Sequence, residues 1–94
     1  MALASHAIVP GDGGDELRLS GRLTLARLGE LPHILESVDP IARIDLSGIE
    51  RIDTVGAWLV LRTAEAHGAD VAGASNDAQR LLDAVRRSQQ EPAA

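Results

Sequence analysis

The sequence contains no cysteine, phenylalanine, tyrosine or lysine. Without cysteine there is no disulfide framework, no thiolate nucleophile and no cysteine-ligated metal site. Trp58 is the only aromatic residue, so the chain has no row of rings on which single-stranded nucleic acid could stack. All nine basic residues are arginines, scattered along a chain of net charge −5. This balance argues against nucleic-acid binding.

Long apolar runs are also missing, since no stretch approaches the ~18 apolar residues of a transmembrane helix. The start, MALASHAIVPG, has no basic n-region and only a short apolar run, which argues against a signal peptide. His6, His33 and His67 lie far apart and lack ligand spacing, so we expect no metal and no cofactor. We therefore expect a cytoplasmic protein.

The 94 residues, 45% of them hydrophobic, are enough for one small domain with one core. We place this domain at residues 1–88 and interpret residues 89–94 as a polar tail or the start of a linker. Nothing in the pattern indicates a repeat or a second domain.

The most informative stretch is IARIDLSGIERIDTVGAWLVLRT, from Ile41 to Thr63. Ile41 to Leu46 predicts a mostly buried parallel strand, and Ser47-Gly48 predicts the turn that ends it. A helix that is apolar nearly all round follows, and Asp53 and Thr54 are both good N-cap residues for it. The Thr54 hydroxyl is thereby placed beside the positive end of a helix, which favours a phosphate or a partner's hydrogen bonds.

The rest of the chain alternates strand and helix patterns. Ser5 to Val9 and Glu16 to Leu23 flank a glycine-rich turn, which predicts a β-hairpin. The leucine-rich segment that Thr24 can cap has helical spacing, but Gly29 and Pro32 interrupt it, so its main helix should begin near Leu31 or Pro32.

Gly68 is predicted to end the apolar helix. Residues Ala69 to Ala74 are predicted to form a final strand. Ser75, Asn76 or Asp77 then caps a last helix. The order is β-β-α-β-α-β-α, which predicts a small α/β fold: a mixed four-stranded sheet with helices mainly on one face.

The apolar helix also predicts an interaction surface. It cannot bury every side against one small sheet, so part of it should be exposed, and exposed apolar patches mark interaction sites. Because tryptophan is favoured at binding hot spots, Trp58 or Leu59 on the outer face is the predicted partner anchor. Core packing of Trp58 is the alternative.

The element order, with LSGRLT at Leu19–Thr24 and IDLSGIERIDTVGAWLV at Ile44–Val60, resembles a STAS domain, the domain of sulphate transporters and anti-sigma factor antagonists. The resemblance covers roughly Ser5 to Arg87. In bacterial antagonists a partner kinase phosphorylates a Ser or Thr in an Asp-(Ser/Thr)-x-Gly motif, and Thr54 is the residue at that position here. Asp53 and Gly56 match the neighbouring positions, whereas Val55 replaces a second hydroxyl residue that many antagonists have.

IERIDTVGAWLV is more similar to the N-terminal STAS domain of MlaE-type lipid ABC transporter permeases, and to the stand-alone STAS subunit of that system. In that subunit a Thr at this position matters for contact with the ABC ATPase. The resemblance implies a non-catalytic regulatory domain that meets the membrane only through a fused or associated permease. The predicted partner-binding residues are Asp53, Thr54, Val55 and Gly56 of the motif, together with Trp58 and Leu59 of the apolar helix. Arg51 is added because it is close enough in sequence to offset a negative charge at Thr54.

Two other classes of function remain as alternatives. One is a free-standing anti-sigma factor antagonist that a kinase regulates through phosphorylation of Thr54. The other is a nucleotide-binding enzyme, which we do not expect because the chain has no lysine and no phosphate-binding loop.

Overall fold

The computed structural model of the chain describes residues 5–11, 13–37 and 40–90, apart from the side chains of residues 89 and 90. Four strands form one sheet in the order β1-β2-β3-β4, with β1 antiparallel to β2 and the other neighbours parallel. The strands are β1 (Ser5–Val9), β2 (Asp15–Leu23), β3 (Ile41–Ile52) and β4 (Asp70–Ala72). A 3-10 turn (Leu25–Arg27) precedes three helices, α1 (Leu31–Glu36), α2 (Thr54–His67) and α3 (Asn76–Gln90). The predicted α/β fold, element order and mixed four-stranded sheet are confirmed.

The two faces of the sheet differ because side chains alternate along each strand. Leu17 and Leu19 of β2 are buried, and Arg18 between them is exposed on the opposite face. In β3, Ile44 and Leu46 are buried on either side of the half-buried Asp45. The helices therefore cover the leucine and isoleucine face, and the other face carries polar side chains.

Helix α2 packs against the sheet and against both other helices, which buries most of its apolar side chains. It contacts β3, α1 and α3. Its buried residues are Gly56, Ala57, Leu59, Val60, Leu61, Thr63 and Ala64. The two large apolar side chains of α2 that stay exposed, Val55 and Trp58, lie near its start.

Strand β3 is longer than the sequence predicted. Ser47-Gly48 does not end the strand, which continues to Ile52. Arg18 pairs with Asp45 whereas Ser20 pairs with Gly48, so β3 holds one more residue than β2 between these pairs. The turn-forming residues therefore make a bulge inside the strand. Gly48 suits this position because a Cβ there would lie 3.0 Å from the Ser20 Cβ.

Most predicted element boundaries agree with the structure. Helix α1 begins at Leu31, after a turn at Gly29, and the left-handed Gly68 (φ 63°) ends α2. Ser75 caps α3, since its Oγ accepts a hydrogen bond from the Ala78 N–H (3.2 Å).

Three predicted features need correction or a narrower range. Thr24 makes no side-chain capping bond, and the last strand is shorter than Ala69 to Ala74. Helix α3 continues to Gln90, so the first two residues of the predicted tail are helical, and residues 91–94 lie outside the described residues.

In the described part of the chain, no helix has the length and apolar character that crossing a membrane requires.

The bulge in β3 gives the protein a pH-dependent contribution to stability. The Asp45 carboxylate accepts hydrogen bonds from the Ser47 backbone N–H and from the Ser47 hydroxyl, each 3.0 Å long. The backbone bond above all, with the hydroxyl and the charges of Arg18 and Arg43, lowers the pKa of Asp45, although partial burial opposes the shift. The folded state therefore binds the proton less readily than the unfolded state.

We predict that this contribution is present above about pH 4 and is lost as the pH falls through the lowered pKa. Asp45→Asn should therefore reduce the difference in free energy of unfolding between neutral and acidic pH, measured by urea denaturation. Ser47→Ala keeps the backbone bond and should give an intermediate difference. Equal acid sensitivity of wild type and Asp45→Asn would contradict this prediction.

Candidate functional site

Asp53 connects the start of α2 to the end of β2. It is the N-cap of α2, with extended backbone (φ −113°), and its Oδ1 accepts a hydrogen bond from the Gly56 N–H (2.8 Å). Its Oδ2 accepts a second bond from the Leu25 N–H (2.9 Å), and its own N–H donates to the Leu23 carbonyl (3.2 Å). One carboxylate thus satisfies free N–H groups of two separate segments. Both oxygens of the Asp53 carboxylate therefore accept hydrogen bonds within the fold.

Gly56 allows α2 to approach β2 closely. The residue is buried, and a Cβ at this position would overlap the carbonyl oxygen of Leu23. It would also lie 2.9 Å from the Leu23 carbonyl carbon and 3.1 Å from the Leu23 Cγ. Glycine is therefore required here by the packing of the helix start on the sheet.

Thr54 differs from Asp53 and Gly56, because the fold does not use its side chain. It is the first residue of α2 and is exposed. Asp53 supplies the cap, so the Thr54 hydroxyl is not needed for that role. Among the described residues, the Thr54 side chain has no hydrogen-bond partner. Its hydroxyl is therefore exposed to solvent at the positive end of a helix.

Trp58 lies one turn after Thr54, on the same side of α2. Its side chain is 43% exposed, and the Arg62 Cζ lies 5.0 Å from the centroid of its ring, a cation–π contact. Val55 is 37% exposed beside it. Leu59 is buried in the core, so the expectation that it could lie on the outer face is wrong. Of the two predicted anchors, Trp58 is the one at the surface.

An open groove runs between the start of α2 and the second half of α3. It has a volume of about 410 Å³ and is lined by Thr54, Val55, Trp58, Val85 and Ser88. We call it the α2–α3 groove. Val85 is 8% exposed, and Val55 and Trp58 add further apolar surface. The groove therefore joins a free hydroxyl to a small apolar patch.

Comparison with known proteins finds no protein-family model and no curated protein that matches this chain. The resemblance to STAS domains therefore depends on the residues quoted for it. The geometry of the site supplies the independent argument for function.

Arg51 lies apart from the groove, although the sequence placed it in the candidate site. It is exposed near the end of β3 and lines a separate depression with Ser75 and Asp77. Within the described residues it forms no ion pair. The structure thus brings Thr54, Val55 and Trp58 together on one surface and separates Arg51 from them.

Sequence reasoning missed two residues of the groove, Val85 and Ser88. The spacing of Ala78, Leu82 and Val85 shows the apolar face of α3, and all three are buried. No local signal, however, shows that this face packs beside the start of α2. In the described residues, no three histidine, aspartate or glutamate side chains converge as a metal site would need. The side chains of the groove suit contact with a protein surface.

Proposed function

We propose that this chain is a non-catalytic STAS-type regulatory domain that binds a partner protein through the start of α2. The proposed partner is the ATPase subunit of a lipid-transport ABC permease, so the domain would act at the cytoplasmic face of the membrane. The observation that carries this proposal is the exposed, unbonded hydroxyl of Thr54 beside the exposed ring of Trp58.

The Asp-Thr-x-Gly motif supports this function because its residues divide by role. The capping bonds of Asp53 and the close packing of Gly56 account for those two residues within the fold. Thr54 makes no comparable contact, so its hydroxyl is available to a partner. Trp58 and Val55 add apolar area next to it, as an interaction site requires.

A free-standing anti-sigma factor antagonist is the second candidate, and the same hydroxyl favours it. Thr54 is exposed at the first position of a helix, where a kinase could reach it. A phosphate there would interact favourably with the positive end of α2. The neighbouring Asp53 carboxylate would oppose the added negative charge.

We predict that Thr54→Ala weakens binding to the ATPase subunit about threefold to tenfold, the usual contribution of one hydrogen bond. The free energy of unfolding should change by no more than about 0.5 kcal/mol, because Asp53 keeps the cap. Isothermal titration calorimetry and urea denaturation of the same samples measure both quantities. Ser37→Ala is the matched control, since it removes an exposed hydroxyl at the end of α1.

The outcome also separates the two candidates. Binding to the ATPase that Thr54→Ala leaves unchanged would remove Thr54 from the interface. Phosphate on Thr54 after incubation with an anti-sigma factor kinase and ATP, detected by mass spectrometry, would favour the antagonist. Absence of both ATPase binding and phosphorylation would contradict both candidates.

A further inference from the structure

The two edges of the described sheet differ in how they are protected against pairing with another strand. At one edge, β4 has only three residues, and its first residue is the exposed Asp70. At the other edge, β1 has five residues, and none of them is Asp, Glu, Arg or Pro. Natural proteins protect edge strands by keeping them short or by placing charges, prolines or bulges in them. The edge of β1 has neither a charge nor a proline.

The edge of β1 is also regular and open to solvent. Its pairing with β2 runs over all five residues without a bulge. Four of these residues are exposed, and β2 is the described element on which β1 packs. Ile8 is 42% exposed, although its pairing partner Leu17 in β2 is buried. The helices therefore cover the apolar face of β2 and leave an apolar side chain of β1 uncovered.

We propose that two copies of this chain pair antiparallel through β1 and join their sheets into one sheet of eight strands. The occupant of this edge is a strand, because only another extended chain can pair a row of free N–H and C=O groups along its whole length. This inference is independent of the proposed function, since no residue of β1 lines the α2–α3 groove.

A second copy fits the edge because β1 is compatible with its own sequence in a two-fold arrangement. Full overlap of the two strands places Ala7 opposite Ala7, and His6 opposite the Ile8 of the second copy. No acidic residue or arginine faces another across this pairing. Each His6 ring would cover the exposed Ile8 beside it, as cross-strand neighbours on one face do.

The size of the contact and the charge of the chain make this a weak dimer. Five residue pairs bury much less than the roughly 1,200 Å² of a stable complex, so we expect a dissociation constant on the order of 0.1 mM. Each copy has a net charge of −5, which opposes association. Added salt should therefore tighten the dimer, because it screens this repulsion and β1 has no acidic residue or arginine to form an ion pair.

Sedimentation equilibrium of the full chain, from about 10 µM to 1 mM and at low and high salt, measures this dimer. His6→Glu/Ile8→Glu places carboxylates opposite carboxylates and should weaken it at least about tenfold. His6→Glu/Ile8→Arg places opposite charges across the same pairs and should stay within about threefold of wild type. The β2 neighbours of these positions, Leu17 and Leu19, add no charge of their own.

The matched control is Ala66→Glu/Ala84→Glu, which adds the same two negative charges at exposed helix positions. It should stay within about threefold of wild type, since the added charges lie away from β1. Circular dichroism checks that each variant is folded, as expected for changes at exposed side chains.

A wild-type chain that stays monomeric at about 1 mM would overturn the inference. So would a dimer that salt weakens, because ion pairs would then hold it together. Both results come from the wild type alone and depend on no variant. Equal dimerisation of the two β1 variants, or equal weakening by the helix control, would show that the copies meet at another surface.

Discussion

Gly56→Ala should lower the free energy of unfolding by at least about 3 kcal/mol, the largest effect we expect from a single methyl group in this chain. The added Cβ would overlap the Leu23 carbonyl oxygen and lie 2.9 Å from the carbonyl carbon. These are backbone atoms of a buried strand end, so no side-chain rotation relieves the overlap. Either α2 or β2 must move, and the Asp53 bonds between them would be lost.

Urea denaturation followed by far-ultraviolet circular dichroism measures this loss, and the midpoint of thermal unfolding should fall by about 12 to 24 °C. Helix propensity alone predicts the opposite sign, because alanine is favoured over glycine in a helix by about 1 kcal/mol. Gly13→Ala is the matched control, since nothing lies within 4 Å of a Cβ there. Unchanged or increased stability of Gly56→Ala would show that α2 does not pack on Leu23 as described.

Asp53→Ala should lower the free energy of unfolding by about 2 to 3 kcal/mol, more than the loss of an ordinary helix cap. The reason is that its carboxylate accepts two backbone bonds, from Gly56 (2.8 Å) and from Leu25 (2.9 Å). Removing it leaves N–H groups unsatisfied on both the helix start and the 3-10 turn. The connection between β2 and α2 would weaken.

Asp53→Asn should have an intermediate effect, because its single carbonyl oxygen can replace one carboxylate oxygen but its amide group cannot accept the other bond. Asp70→Ala, which removes an exposed carboxylate at the start of β4, should change stability by no more than about 0.5 kcal/mol. If Asp53→Asn is as stable as wild type, the second bond to Leu25 contributes nothing measurable.

These two effects bear on function as well as on stability. Asp53 and Gly56 hold the start of α2 on the sheet, and Thr54 between them is presented outward. If the proposed function is correct, a variant at Asp53 or Gly56 weakens partner binding by disturbing the fold, whereas a variant at Thr54 or Trp58 acts on the proposed contact itself. Stability and affinity must therefore be measured together for every variant of the motif.

The sequence predicted part of the candidate site. It located a helix start at Asp53 and Thr54 and an apolar helix with surplus hydrophobic surface. It did not distinguish Trp58 from Leu59, because neighbours on a helix point in different directions and only packing decides which side is covered. It also placed Arg51 with Thr54, although the course of β3 and α3 separates them.

For the fold, the sequence alone determined the number, type and order of the strands and helices. Apolar residues alternate with polar ones in a strand and recur every three to four residues in a helix, so the pattern indicates which side chains are buried. The tertiary structure decided the features that depend on contacts between residues far apart in the chain. It extended β3 through Ser47-Gly48, because pairing with β2 absorbs the extra residue as a bulge. It also brought Asp53 to Leu25 and formed the groove between α2 and α3, since such contacts depend on how elements are placed against one another and leave no local pattern.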